Sequence, residues 1–132
     1  MSAKSPTVFS QAGLLDTLDR LDAEGLDALE FGVIGFGRDA DARVQRYNAA
    51  ERRFSGLEVA KVVGLPLFGV VAQCMNNFMV AQRFDDADAA GEALDAELDY
   101  TFTLRMRPTP VRLRLLSRPD VPLRYIAVLR AS

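Results

Sequence analysis

The last third of the chain keeps a period of two, and that period dictates a sheet. In "LDYTFTLRMRP", Tyr100, Phe102, Leu104 and Met106 fall on one side, and Asp99, Thr101, Thr103, Arg105 and Arg107 on the other. "PVRLRLLSR" sets Val111, Leu113 and Leu115 against Arg112 and Arg114, "SRPDVP" is a turn, and "LRYIAVLR" is a final strand. Successive side chains of a strand point to opposite faces, so these runs predict three strands with one apolar face.

The first part of the chain supplies two more strands and the helices. Residues 1–10 read as a loose arm. "GLLDTLDRLDAEGLDAL" places Leu14, Leu15, Leu18, Leu21 and Leu29 among acids, the pattern of one or two short amphipathic helices. "ALEFGVIGF" reads as a buried strand over Glu30 to Phe36, "GRDADAR" as a turn and "RVQRYN" as the returning strand. Asn48 is a helix N-cap for "AAERRF", ended by Gly56. "LEVAKVVG" is a short helix stopped by Gly64, Pro66 opens another in "LFGVVA", and a longer helix starts at about Asn77, with the acid-rich segment as its end. The order predicts an α+β domain over 1–132, a five-stranded antiparallel sheet with helices on one side. Residues 1–29 would form an N-terminal helical cap and 30–132 the core.

Composition narrows the function. The 132 residues contain one cysteine, Cys74, and no histidine. A Cys/His zinc site and a Ser-His-Asp triad are therefore excluded. No internal disulfide is available, which favours a reducing, cytoplasmic setting. No GxxxxGK[ST] loop is present, and Gly32, Gly35 and Gly37 do not match GxGxxG. A net charge of −2 gives no field for nucleic acid or an anionic membrane. No apolar run approaches the roughly 20 residues of a membrane span. The expectation is a monomer or weak dimer that is not an enzyme.

A helical insert between the two groups of strands should cross the apolar face and enclose a pocket. Tyr47, Glu51, Cys74 and Tyr100 or Phe102 could face it. Each has a plainer reading: Cys74 as inert packing, Tyr47 as a core ring, Glu51 as a first-turn acid favoured by the helix dipole, and Tyr100, Phe102 and Met106 as sheet core.

Together, "YNAAE" at Tyr47–Glu51, the "FSG" after it, "VVGLPLF" before "VVAQC" and "DYTFTLRMRPTPVRL" resemble the photoactive yellow protein family of PAS-fold blue-light receptors. The resemblance runs over nearly the whole chain. It implies a p-coumaric (4-hydroxycinnamic) acid chromophore held as a thioester on Cys74. A thiol acylated once by an activated donor needs no histidine to turn over. The resemblance further makes Tyr47 and Glu51 donors to the phenolate oxygen, with Glu51 protonated. It makes Ser55 the support of Tyr47, and Tyr100, Phe102 and Met106 pocket residues. Light would isomerise the double bond, Glu51 would pass on its proton, and the N-terminal helices would loosen to signal to an unknown downstream protein. Two departures stand out. Leu57 takes the place of a gating arginine and brings neither charge nor donor. Gln73 replaces a proline before the cysteine, which removes a fixed φ. The alternative is a non-photoactive PAS module holding a small ligand or a partner in the same pocket.

Overall fold

A computed structural model describes residues 7–103 and 108–130. The sheet contains β1 (Gly32–Phe36), β2 (Val44–Tyr47), β3 (Leu94–Phe102), β4 (Thr109–Ser117) and β5 (Arg124–Arg130). Its spatial order is β2-β1-β5-β4-β3, and every neighbouring pair is antiparallel. The helices are α1 (Leu14–Arg20), α2 (Ala23–Asp27), α3 (Ala49–Ser55), α4 (Val59–Val62) and α5 (Ala81–Ala90). A π-helical turn at Leu67–Val71 and a 3-10 turn at Gln73–Met75 lie between α4 and α5.

Both faces of the sheet are covered, where the sequence pattern predicts helices on one. Ile34, Phe36, Leu113, Leu115, Ile126 and Val128 pack against the helical insert. Val33, Leu116, Tyr125 and Ala127 point the other way, into Leu14, Leu15, Leu18 and Leu26 of the cap. All five residues of β1 are buried. A strand buried on both faces reads as a continuous apolar run, which is why "FGVIGF" shows no alternation.

Besides this apolar packing, arginines of the sheet and of the turn after β4 bind the cap. Arg114 is 5% exposed. It grips Asp95 through two bonds of 2.8 and 2.9 Å, and donates to the carbonyls of Phe9 and Gln11 at 2.9 and 2.6 Å. Arg46 donates to the carbonyls of Leu18 and Leu21, and Arg118 to Asp16. Alternation places Arg114 on the polar side correctly, but that side lies under the cap. Residues 7–10 are likewise docked, with Phe9 5% exposed and its ring edge-on to Phe31 at 5.8 Å.

Two boundaries differ from the sequence reading. The long helix begins at Ala81, because Asn77 Oδ1 accepts from the amides of Met79 and Val80 and holds a turn there. β3 begins at Leu94, inside the acid-rich segment. Its outward acids Asp95, Glu97 and Asp99 pair with Arg112 and Arg114 of β4. Cross-strand pairing makes these acids compatible with an edge strand.

Candidate functional site

Asn48 starts the site. Its side chain is 1% exposed and fully engaged. Oδ1 accepts from Val33 N at 2.8 Å and from Glu51 N at 3.3 Å, capping α3. Nδ2 donates to the carbonyls of Leu26 in α2 and Phe31 at 2.8 and 3.0 Å. One side chain thus ties the cap, the central strand and the pocket helix together. Gly56, at φ 74°, ends α3 in the left-handed conformation that glycine tolerates best.

One turn into α3, Glu51 is 4% exposed and accepts from Arg130 Nη1 at 2.5 Å and Nη2 at 3.4 Å. Gly32 makes room for the carboxylate: a Cβ on Gly32 would sit 2.8 Å from Glu51 Cδ. The Arg130 guanidinium lies over the Phe54 ring at 4.3 Å and near Phe102 at 5.6 Å. Tyr47 donates to Ser55 Oγ at 2.8 Å. Burial, opposed by this bond, pushes the Tyr47 hydroxyl above its ordinary value, so it keeps its proton at neutral pH.

These groups line a cavity of about 290 Å³ between the sheet and the insert. Ile34, Val71, Ala72, Met75 and Phe102 make its apolar walls, and Leu57 and Thr109 complete its lining beside Tyr47, Glu51, Ser55, Phe54 and Arg130. The structure therefore brings together five of the residues singled out in the sequence: Tyr47, Glu51, Ser55, Leu57 and Phe102. Cys74 and Tyr100 stand just behind the lining. Cys74 sits in the 3-10 turn between the lining residues Ala72 and Met75 and packs against the same core. The Tyr100 hydroxyl donates to the Cys74 carbonyl, and Asn77 Nδ2 donates to both, at 3.1 Å to the carbonyl and 2.6 Å to the hydroxyl. Tyr100 thus clamps the cysteine turn from outside the cavity. Gln73 Nε2 donates to the Gly69 carbonyl at 2.9 Å and pins the same turn. Met106 lies outside the described residues.

Burial pushes the Cys74 thiol above its ordinary value of 9.0. The thiol therefore keeps its proton at neutral pH. Among the described residues no cluster of three His, Cys, Asp or Glu side chains could hold a metal ion. None of the described helices is long and apolar enough to cross a membrane.

Several contributors escape the sequence reading, among them Arg130, Gly32, Asn77 and Met75. Arg130 was detectable: it shares parity with Ile126 and Val128, so a charge stands at the end of an apolar strand face. Gly32, Asn77 and Met75 carried no such mark, because their roles come from contacts across the fold.

The comparisons with known proteins fit this geometry. The photoactive yellow protein of Halochromatium salexigens is 31% identical over 107 residues, covering 81% of this chain and 83% of its own. That of Rhodothalassium salexigens is 29% identical over the same share. The crystal structure of the photoactive yellow protein domain from the sensor histidine kinase Ppr of Rhodospirillum centenum superposes with a TM-score of 0.77. It is 31% identical and covers 87% of this chain and 98% of that one. The PAS domain of Bordetella pertussis BvgS, 16% identical with a TM-score of 0.57, shares the fold. The architecture is thus the PAS fold. No family model matches the chain.

Proposed function

The chain belongs to the photoactive yellow protein family, and on that basis we propose that it is a blue-light photoreceptor carrying a p-coumaroyl group as a thioester on Cys74. The carrying observation is the cavity itself: apolar walls start at the turn that bears Cys74, and ionisable and hydroxyl groups gather around Tyr47 and Glu51. An aromatic acyl chain with one phenolic oxygen matches that order of surfaces. When bound, the conjugated thioester supplies visible absorption and a double bond that light can isomerise.

The protein's own groups do the rest. Cys74 Sγ anchors the acyl carbon, and Tyr100 and Asn77 fix the backbone of that turn. Phe102, with Met106 as expected from the resemblance, walls the ring and excludes water. Ser55 is a donor as well as an acceptor, so the Tyr47–Ser55 bond can reverse and present the Tyr47 proton to a phenolate. Such O–H···O⁻ bonds are short and strong. Glu51 holds a proton in the dark and releases it on illumination. Asn48 bonds both Glu51 N and the Leu26 carbonyl, so a shift of α3 reaches the cap, whose loosening signals to a downstream protein.

The test is reconstitution. Apoprotein treated with an activated p-coumaroyl ester should turn yellow, bleach under blue light and recover in darkness, and Cys74→Ala should take up no covalent colour. A product coupled at Cys74 that never bleaches would sink the photoreceptor reading and leave a ligand-binding PAS module.

A further inference from the structure

Tyr47 from β2, Glu51 from α3 and Arg130 from β5 are the ionisable side chains lining the cavity among the described residues. Tyr47 stays neutral, so the lining carries one formal acid and one formal base. Leu57, at the rim, adds neither. The two charged groups face each other in a nearly dry place, with side chains 5% and 10% exposed.

A phenol entering this site brings an ionisable proton. Ionised by loss to solvent, it would put a second anion beside a single cation, and an uncompensated buried charge is costly. The sum stays neutral if the proton moves within the site. The phenol O–H bond breaks, an O–H bond forms at a Glu51 carboxylate oxygen, and Arg130 turns from Glu51 to the new phenolate. No electrons change hands and no co-reactant is needed. The geometry allows Arg130 to be the partner that turns. Its guanidinium rests on the faces of Phe54 and Phe102, an attraction to a ring face that holds a cation without demanding one hydrogen-bond direction. Glu51 is instead wedged against Gly32 and fixed by the Asn48 cap.

We propose that Arg130 is a counter-ion with two positions, paired with Glu51 when the cavity is free and with the anionic oxygen of a phenolic ligand when it is filled, Glu51 then holding the ligand's proton. The phenolic class of ligand rests on the function proposed above. A consequence is that a Glu51 carboxylate formed by later proton release is met by Arg130. The resemblance alone would leave it unpaired.

The probe is 4-nitrophenol, whose neutral and ionised forms absorb at different wavelengths and which binds without a thioester. Its ionisation is followed by absorbance in the full chain and in Arg130→Gln, Arg130→Lys and Glu51→Gln/Arg130→Gln variants. The double variant removes both charges, so it retains no orphaned partner and covers the case in which Arg130→Gln folds poorly. Arg130→Gln and the double variant should raise the bound probe's apparent pKa by at least about one unit, a tenfold shift, and Arg130→Lys should restore most of it. In carboxyl-carbon NMR of the parent at neutral pH, Glu51 should take the proton that the bound phenol gives up, and so be protonated where the bound probe is phenolate. An unchanged titration in both Gln-bearing variants, failure of the parent to bind the probe, or a Glu51 that stays ionised beside bound phenolate would overturn the proposal. The two readings fail separately. If Cys74 never takes up p-coumaroyl while the probe shift appears, the photoreceptor reading falls and the counter-ion stands. If the pigment forms and the shift is absent, the counter-ion alone falls.

Discussion

Arg114 offers a direct measure of how firmly the cap is held. It is replaced by Met to keep much of the stem's packing while removing every donor. Its bonds to Asp95 matter least, because Asp95 is 54% exposed and returns to water. The bonds to the carbonyls of Phe9 and Gln11 are lost outright. Hydrogen bonds from a charged donor contribute about 1.5–3 kcal/mol each. Part of that returns when the carbonyls meet water, which leaves a loss of about 3 kcal/mol in the free energy of lifting residues 7–12. Phe9 still favours the docked state through its burial on Phe31, about 1.5–3 kcal/mol. The segment should therefore stay mostly docked but open about a hundredfold more often, at 1.4 kcal/mol per factor of ten. Amide hydrogen exchange reads this residue by residue. Gln11 N, bonded to Val8 O, should exchange about a hundredfold faster, and Thr17 in α1 and Ile34 in β1, outside the lifted segment, should not change. If Gln11 stays within about threefold of the parent, far short of that tenfold-per-1.4 kcal/mol expectation, Arg114 does not hold residues 7–12 down.

Three further outcomes follow from the same contacts. Gly32→Ala should drive Glu51 off its seat, break the pair with Arg130 and cost about 3 kcal/mol in urea unfolding. A cost below about 1 kcal/mol, well short of that for a broken buried pair, would show that the carboxylate has room to spare. The rate of Cys74 alkylation by iodoacetamide should climb about tenfold per pH unit past the thiol's ordinary 9.0, because only the thiolate reacts; a plateau below that value would contradict the buried thiol. Hydrogen bonds from Arg118 hold the Asp16 carboxyl below its ordinary 3.8. A lowered value means that this support is present above the ordinary carboxylate range and disappears as pH falls through the folded value. Arg118→Gln should therefore move acid release of the cap, followed by amide NMR, to higher pH. An unmoved release point would assign the cap's acid sensitivity elsewhere.

Much of this was readable in the chain. The period of two in 98–130 gave the C-terminal strands, Asn48 and Gly56 marked the ends of α3, and "YNAAE" holds two residues, Tyr47 and Glu51, that line one cavity. What escaped depends on partners far apart in sequence. The acids of β3 look like a helix exit until Arg112 and Arg114 stand beside them. Arg114 looks solvent-facing until the cap lies over it. Tyr100 reads as a pocket wall, yet its hydroxyl meets the Cys74 carbonyl from behind. Local pattern reports which side of an element a residue occupies, and says less about what the rest of the fold brings to that side.

The doubly covered sheet also sets where this protein can change. Val33 serves the cap and Ile34 the cavity, one residue apart on the same strand, and Tyr125 and Ile126 repeat the arrangement on β5. Interiors are close-packed, so a volume change at any of these positions shifts a backbone that two cores share. Substitutions on β1 and β5 should be the least tolerated in the molecule, and their effects on ligand and cap should be hard to separate. Phe54 and Leu57 border the cavity with 53% and 41% of their surface exposed. A change at Leu57 on that rim therefore alters the cavity wall without moving the backbone that the two cores share.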